Sequence, residues 1–369
     1  MTDERAADLL AGISRDSKIL ELGPSFNPLA PRAAGWDVTI VDHATREELI
    51  EKYRDARNVN VENIETVDAV WTAGPLHQVV PPELLGTFDV LIASHVIEHL
   101  PDPIGFMESA ARLLHPERGI LLLAVPDKRW CFDGLKQVSS TGQFLVAHRM
   151  KAQRHSPAAL FDHVAYSSMV GGRSGWGREP ASDVSLVHTL DQAYDHFQSW
   201  TDDPAAPYVD CHGWHFTPAS FALLVLEAGA LGLLDWRVDR LEPRPVVEFF
   251  ARLKRGREAF ATPAELGNRR LELLKQILLD LREQTDWLVE QAPPVPPQAA
   301  TIPVEMPEPV DTGNNDGPGK DALDAEIRQD IREIAETAVM VRAALRPVRS
   351  AWRGMLPLRR IVARARGRV

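Results

Sequence analysis

Lys18-Ile-Leu-Glu-Leu-Gly-Pro-Ser-Phe-Asn27 is the stretch that decides the fold. Residues 18–22 form a short apolar run, and Gly23-Pro24 ends it, so the stretch reads as a buried strand entering a turn. The pattern recurs downstream. Residues 37–42 (Asp-Val-Thr-Ile-Val-Asp), 67–71, 88–94 and 119–125 predict four further strands. Helices are predicted between them at 45–57 and 103–114, the latter opening on Pro103 and closing at His115-Pro116. Strands without alternation, separated by helices, predict a parallel sheet covered on both faces.

Residues 127–216 break this rhythm. They hold many of the histidines and several tryptophans, with Gly171-Gly172 and Gly175 between weakly periodic segments. They read as an insertion with short helices that would carry the acceptor site. A helix at 218–231, N-capped by Thr217, and strands at 236–241 and 246–253 then close one domain over residues 1–255. The expected class is α/β, a Rossmann-like, mostly parallel seven-stranded sheet with C-terminal helical extensions.

Beyond that domain, residues 262–291 read as a coiled-coil-like helix, with Leu271, Leu274, Leu278, Leu281 and Leu288 at 3-4 spacing. The spacing equally allows a helix packed on its own domain. Residues 292–320 are proline-rich and read as a disordered linker. Residues 321–369 read as an amphipathic helix followed by a basic tail. From 346 to 369 there are eight arginines and no acid, which leaves the other 345 residues at −19 of a total of −11. An acidic body with a basic tail argues against nucleic-acid binding and makes the tail a separate contact element. Trp352, Met355, Leu356 and Ile361 among those arginines fit an anionic membrane surface or an acidic partner groove.

Cys131 and Cys211 lie far apart and form no CxxC, which argues against a disulfide framework and a cysteine zinc site. With no apolar leader and no run of eighteen apolar residues, the expectation is a cytoplasmic protein, peripheral at the inner membrane surface if the tail binds lipid.

The opening strand-loop also carries chemistry. Glu21 followed by a glycine turn can cradle a charged nucleotide, because glycine lets the backbone approach closely. Asp42 ends the second strand, about twenty residues on, where a carboxylate accepts both hydroxyls of a ribose. Those two features fit a dinucleotide or S-adenosylmethionine. No GxGxxG is present, which counts against a nicotinamide oxidoreductase.

Residues 87–103, Thr-Phe-Asp-Val-Leu-Ile-Ala-Ser-His-Val-Ile-Glu-His-Leu-Pro-Asp-Pro, separate the two readings. They resemble the fourth-strand motif of class I S-adenosylmethionine-dependent methyltransferases, and residues 108–126 resemble that family's next helix and strand. Pro126-Asp-Lys-Arg-Trp-Cys-Phe-Asp133 and His212-Gly-Trp-His-Phe-Thr-Pro-Ala-Ser-Phe221 resemble a subgroup associated with bacterial surface glycans and secondary metabolites. The resemblance spans about residues 15–255. It implies S-adenosyl-L-methionine as cofactor and a hydroxyl of a sugar or glycan, or a small secondary metabolite, as acceptor. In the family's first loop the pattern is Glu-x-Gly-x-Gly-x-Gly; here Gly23 stands alone, with Pro24, Ser25 and Asn27 in the other places. A fold kept as a non-catalytic scaffold in a glycan-assembly complex is the alternative that this departure raises.

Carried over by position, Glu21, Gly23, Pro24, Ser25 and Asn27 face the methionine end, and Asp42 the ribose. His43, Ala73, Gly74 and Leu76 line the adenine, and Ser94 and His95 meet the methionine amine. Glu98 and His99 follow beside them. A sugar hydroxyl is a poor nucleophile, so its methylation needs a base. The candidates are His95, Asp127 and His215, with His212 next to the last. Lys128, Arg129 and Trp130 are candidates for holding an acceptor. No metal site is expected: His212 and His215 read as loop residues, and Asp127 with Asp133 is the one acidic pair that magnesium could use.

Overall fold

The computed structural model describes residues 2–289 apart from 57–58, 178–182, 204–205 and 246. These residues belong to a compact unit that runs from Met1 to Val295. The predicted linker at 292–320, the second amphipathic helix and the basic tail lie outside the described residues.

Among the described residues, nine strands and eight α-helices follow in order. Helix α1 (Thr2–Leu9) precedes β1 (Lys18–Leu22) and β2 (Asp37–Asp42). Helix α2 (Arg46–Tyr53) leads to β3 (Ala69–Val70) and β4 (Val90–Ser94), and α3 (Pro103–Leu113) to β5 (Ile120–Pro126). The insertion holds α4 (Thr141–Met150), α5 (Pro157–Ala165), a hairpin of β6 (Ser168–Val170) and β7 (Val184–Leu186), and α6 (Leu190–Gln198). The chain then returns through α7 (Pro218–Ala230), β8 (Trp236–Pro243), β9 (Glu248–Arg255) and α8 (Pro263–Val289).

One sheet holds seven strands in the order β3-β2-β1-β4-β5-β9-β8. Strands β1 to β5 are parallel and β9 is antiparallel to both neighbours. The chain builds outward from β1 in one direction, then from β4 in the other. The carboxyl ends of β1 and β4, with Leu22 beside Ala93, therefore flank the switch point where open α/β sheets bind ligands.

The sheet is buried on both faces. Leu20, Leu22, Leu91, Leu121, Leu123 and Phe249 pack into one core, while Ile19, Ile40, Val90, Ile92 and Leu122 pack into the other. Continuous burial is why these strands read as unbroken apolar runs.

The connection from β1 to β2 contains no α-helix. Pro24, Pro28 and Pro31 remove backbone donors along it, and only a 3-10 turn forms at Arg32–Ala34. Gly35 ends that turn with φ +82°.

Helix α8 packs on its own domain. Leu273 and Ile277 lie against α7, and Trp287 and Leu288 against Trp130, Val170 and Trp176. The leucines of the predicted stripe at 271, 274 and 278 face outward. Among the described residues, no helix is long and apolar enough to cross a membrane.

Candidate functional site

The loop after β1 closes over two buried carboxylates. Glu21 is 2% exposed and turns inward, where Oε1 accepts from the Leu29 amide at 2.7 Å and Oε2 from the Ala30 amide at 3.1 Å. Burial pushes its pKa up to about 7, against the pull of those two amides. Glu21 therefore braces the helix-free loop, where the resemblance placed it facing the methionine end. Gly23 sits at φ +67°, and a Cβ there would come within 3.2 Å of Val96 in the loop after β4. Glycine thus keeps the β1 and β4 loops close without a side chain between them. Ser25 follows, also left-handed at φ +48°, and donates its amide to Asp42 Oδ2 at 2.9 Å. Pro24 accepts from the Asn27 amide at 2.9 Å, which closes the turn.

Asp42 ends β2, as the strand reading required. Its Oδ1 accepts from the His43 amide and ring Nδ1, each at 2.7 Å. Oδ2 keeps a lone pair beyond the bond from Ser25. The β3 end holds Gly74 at φ +75°, its carbonyl accepting from Trp71 Nε1 and its amide donating to Gln153 of the insertion. Ala73 lies beside it at the surface. Leu76 does not line this edge: it is 1% exposed and belongs to the main core. A left-handed glycine facing a neighbouring loop, the buried Asp42 at the β2 end and the exposed Ala73 after β3 thus lie at the carboxyl edge of the sheet.

The other half of the rim is built from side chains. Ser94 ends β4 and accepts from Arg5 of α1 at 2.7 Å. Arg5 also clamps Glu248, with both contacts at 2.7 Å. Glu248 opens β9 opposite Pro126. Burial raises its pKa, but Arg5 and His95 outweigh burial and hold it near 2. His95 stands beside it at φ +53°, with Nε2 2.9 Å from Glu248 Oε2. A carboxylate only accepts, so Nε2 carries a proton in this contact. Nδ1 lies 3.6 Å from Glu98 Oε1.

The predicted bases Asp127 and His215 are used elsewhere. Asp127 is 1% exposed, and its carboxylate accepts from Arg129 Nε at 2.8 Å and Nη2 at 2.6 Å. Arg129 reaches on to Glu283 of α8 at 2.6 Å. His215 is buried, its Nε2 faces the His212 carbonyl at 3.1 Å, and burial pushes its pKa down to about 4. Lys128, Arg129 and Trp130 are all at most 2% exposed. Lys128 Nζ donates to Gln284 and Trp130 packs on Trp287, so the three residues dock α8 and are not open to an acceptor. Asp127 and Asp133 do not share a site either, because Asp133 pairs with Lys136 and His212 at 2.6 Å each.

Glu98 and His99 lie in the turn after β4 and face away from the β1 loop, toward the insertion. His99 Nδ1 bonds Asp210 at 2.8 Å, and the Glu98 carbonyl accepts from the Gly213 amide at 2.9 Å. Gly213 admits no side chain, since a Cβ there would lie 2.4 Å from the His155 ring. The sequence reading missed Arg5 and Glu248. A signal for Glu248 was present: a single acid heads the apolar run Phe249-Phe250-Ala251, and a buried acid needs a partner.

A family model described as a methyltransferase domain matches residues 2–230. No curated protein sequence matches the chain. Several solved structures are similar. A Rhodobacter sphaeroides protein assigned to the Zn-dependent alcohol dehydrogenases is 15% identical, over 69% of this chain and 89% of its own, at a TM-score of 0.38. The CcbJ methyltransferase from Streptomyces caelestis is 14% identical, over 69% and 96%, at 0.36. An S-adenosylmethionine-dependent methyltransferase from Mesorhizobium loti is 13% identical, over 69% and 100%, at 0.35.

Proposed function

The chain belongs to the methyltransferase-domain family, and on that premise we propose that it transfers a methyl group from S-adenosylmethionine to a hydroxyl of a sugar or surface glycan. The observation that carries the acceptor class is the Arg5–Glu248–His95 relay at the carboxyl ends of β4 and β5. A hydroxyl acceptor must lose a proton as it reacts, and an imidazole oriented by a carboxylate is built to take it. The cofactor supplies an electrophilic methyl on a sulfonium.

The protein's part is alignment and proton removal. Asp42 at the β2 end serves the ribose, and the Gly23–Asn27 loop offers backbone to the methionine end. Glu21 and the Ser25–Asp42 bond hold that loop in place before anything binds, which lowers the ordering cost. Glu248 fixes the orientation of the His95 ring through Nε2. A small secondary metabolite as acceptor would use the same relay. The scaffold reading predicts a protein that binds no cofactor.

Two contact readings accompany this one as proposals from sequence. The outward leucines of α8 would serve self-association, and the arginine tail would seat the enzyme at a membrane surface or on a glycan-assembly partner.

Calorimetry with S-adenosylhomocysteine tests the core of the reading. The full chain should bind it, and Asp42→Ala should weaken binding strongly. No binding at millimolar ligand would end the proposal. Mass spectrometry of surface glycans made with and without the protein would then identify the acceptor.

A further inference from the structure

A cluster that the methyl-transfer reading does not use lies next to His95. Glu98, His99 and His212 place one carboxylate oxygen and two imidazole nitrogens within 4.8 Å of one another. We propose that these three residues bind a divalent metal ion of the zinc type, two imidazoles and one carboxylate supplying three ligands and the solvent side leaving a position open.

The first argument is the state of Glu98. The residue is 0% exposed, and neither carboxylate oxygen has a hydrogen-bond partner. The nearest side-chain nitrogens, His95 Nδ1 at 3.6 Å and His99 Nε2 at 3.8 Å, are beyond hydrogen-bond range. A buried carboxylate without a donor is costly, and native proteins rarely leave one. A cation held between Glu98 and the two rings removes that cost.

The second argument is how the two histidines are held. His99 gives Nδ1 to Asp210 at 2.8 Å, and His212 gives Nδ1 to Asp133 at 2.6 Å. Carboxylates accept only, so both rings donate from Nδ1 and leave Nε2 for the cluster with Glu98. An imidazole whose far nitrogen is tied to a carboxylate is how proteins orient histidine for a metal. Asp133 is itself balanced by Lys136 at 2.6 Å, so its bond to His212 leaves no excess charge behind the site. The rings meet edge to face, with centroids 4.5 Å apart.

The third argument is that the chain brings these residues together deliberately. Residues 98–99 and 212 are more than a hundred positions apart. The Gly213 amide donates to the Glu98 carbonyl at 2.9 Å, which fixes their juxtaposition. Gly213 is needed there because the His155 ring packs on its Cα. His155 in turn meets the His99 carbonyl through Nε2 at 2.8 Å.

The donor set selects the ion. Two nitrogens and one oxygen, with no thiolate, suit zinc and its first-row neighbours rather than magnesium or calcium. Bond lengths of about 2.0–2.1 Å would draw the three ligand atoms closer than they stand here, which side-chain rotations allow. The His99 side chain is 28% exposed, so a fourth ligand enters from that side. A hydroxyl bound there would have His95 Nδ1 at hand to take its proton. The metal site itself stands on the ligand geometry and does not depend on methyl transfer.

The test uses the full chain, stripped with a chelator and titrated with zinc and with cobalt(II). One equivalent per chain should bind by calorimetry, and cobalt should show ligand-field bands from mixed nitrogen and oxygen ligation. Glu98→Gln and His212→Ala should each weaken binding at least a hundred-fold. Asp133→Asn should weaken it about 10- to 100-fold, the usual effect of losing an orienting partner. His196→Ala, an exposed histidine elsewhere, should leave affinity unchanged. Thermal unfolding of the metal-free proteins separates ligand from structural roles: Glu98→Gln should be at least as stable as the metal-free parent, because it removes a buried carboxylate that has no hydrogen-bond donor. Failure of both ions to bind saturably, unchanged affinity in Glu98→Gln and His212→Ala, or a destabilised Glu98→Gln would each overturn the proposal. None of these readouts involves methyl transfer, so they leave the cofactor-binding test independent.

Discussion

On the β1–β3 side of the switch point, Glu21 and Asp42 are nearly fully buried and bonded mainly to backbone amides of the loops after β1 and β2. On the β4–β5 side, the ionisable groups bond one another: Arg5 to Glu248 to His95, and His99 and His212 each to an aspartate. The first side is a mould whose shape is set by backbone. The second is a set of proton and charge carriers brought together from α1, β4, β9 and the insertion. A mould suits a constant ligand, and carriers suit chemistry at a second one. Variants should therefore fail differently on the two sides.

The largest contrast is expected at His95. His95→Ala should lower turnover by about 10²- to 10⁴-fold, the range for losing a general base, while S-adenosylhomocysteine binding stays close to that of the parent. Single-turnover rates beside calorimetry would show it, and equal losses in both would erase the distinction between the halves. Next comes Asp133→Asn. It leaves Lys136 buried without a counter-charge and should cost about 3–5 kcal/mol, as breaking a buried pair does. A shift in the urea midpoint reads it. No shift would mean that Lys136 reaches solvent.

Much of the fold was legible, because local signals govern it. The bounds of β1 and β2 agree with the apolar runs that Gly23 and Asp42 end. Thr217 caps α7 through the Ser220 amide, as its position implied. The misread parts depend on distant residues. Lys128-Arg129-Trp130 looks like a surface group until Glu283, Gln284 and Trp287 arrive from α8 to cover it. Helix α8 was legible as a helix, but its buried side follows Leu273, Ile277 and Gln284, not the more regular stripe of leucines at 271, 274 and 278. On the candidate site, Asp42 and His95 stand at the strand ends where their positions in the sequence placed them. Glu248 and Arg5 were missed, because their pairing spans 243 positions and leaves no periodic trace.

The smallest effect is the most specific to the mould. Glu21→Gln keeps the shape but turns one acceptor into a donor facing a backbone amide, so about 1–3 kcal/mol should be lost. The sign with pH distinguishes this from a generic core defect. The Glu21 pKa is raised in the folded state to about 7, so its favourable contribution is present in full below about 4.5 and fades as pH rises through 7. The stability gap between parent and Glu21→Gln should therefore narrow from pH 5 to pH 7.5. Glu248 runs the other way. Its pKa is depressed to about 2, so its contribution is present above about 4.5 and fades as pH falls through 2. The gap between parent and Glu248→Gln should narrow on acidification from pH 5 to pH 3. Urea midpoints of the three proteins across that range would display the two slopes. Gaps that move in the same direction would mean that the carboxylates of the two halves are held by one kind of environment, and the contrast between mould and carriers would be lost.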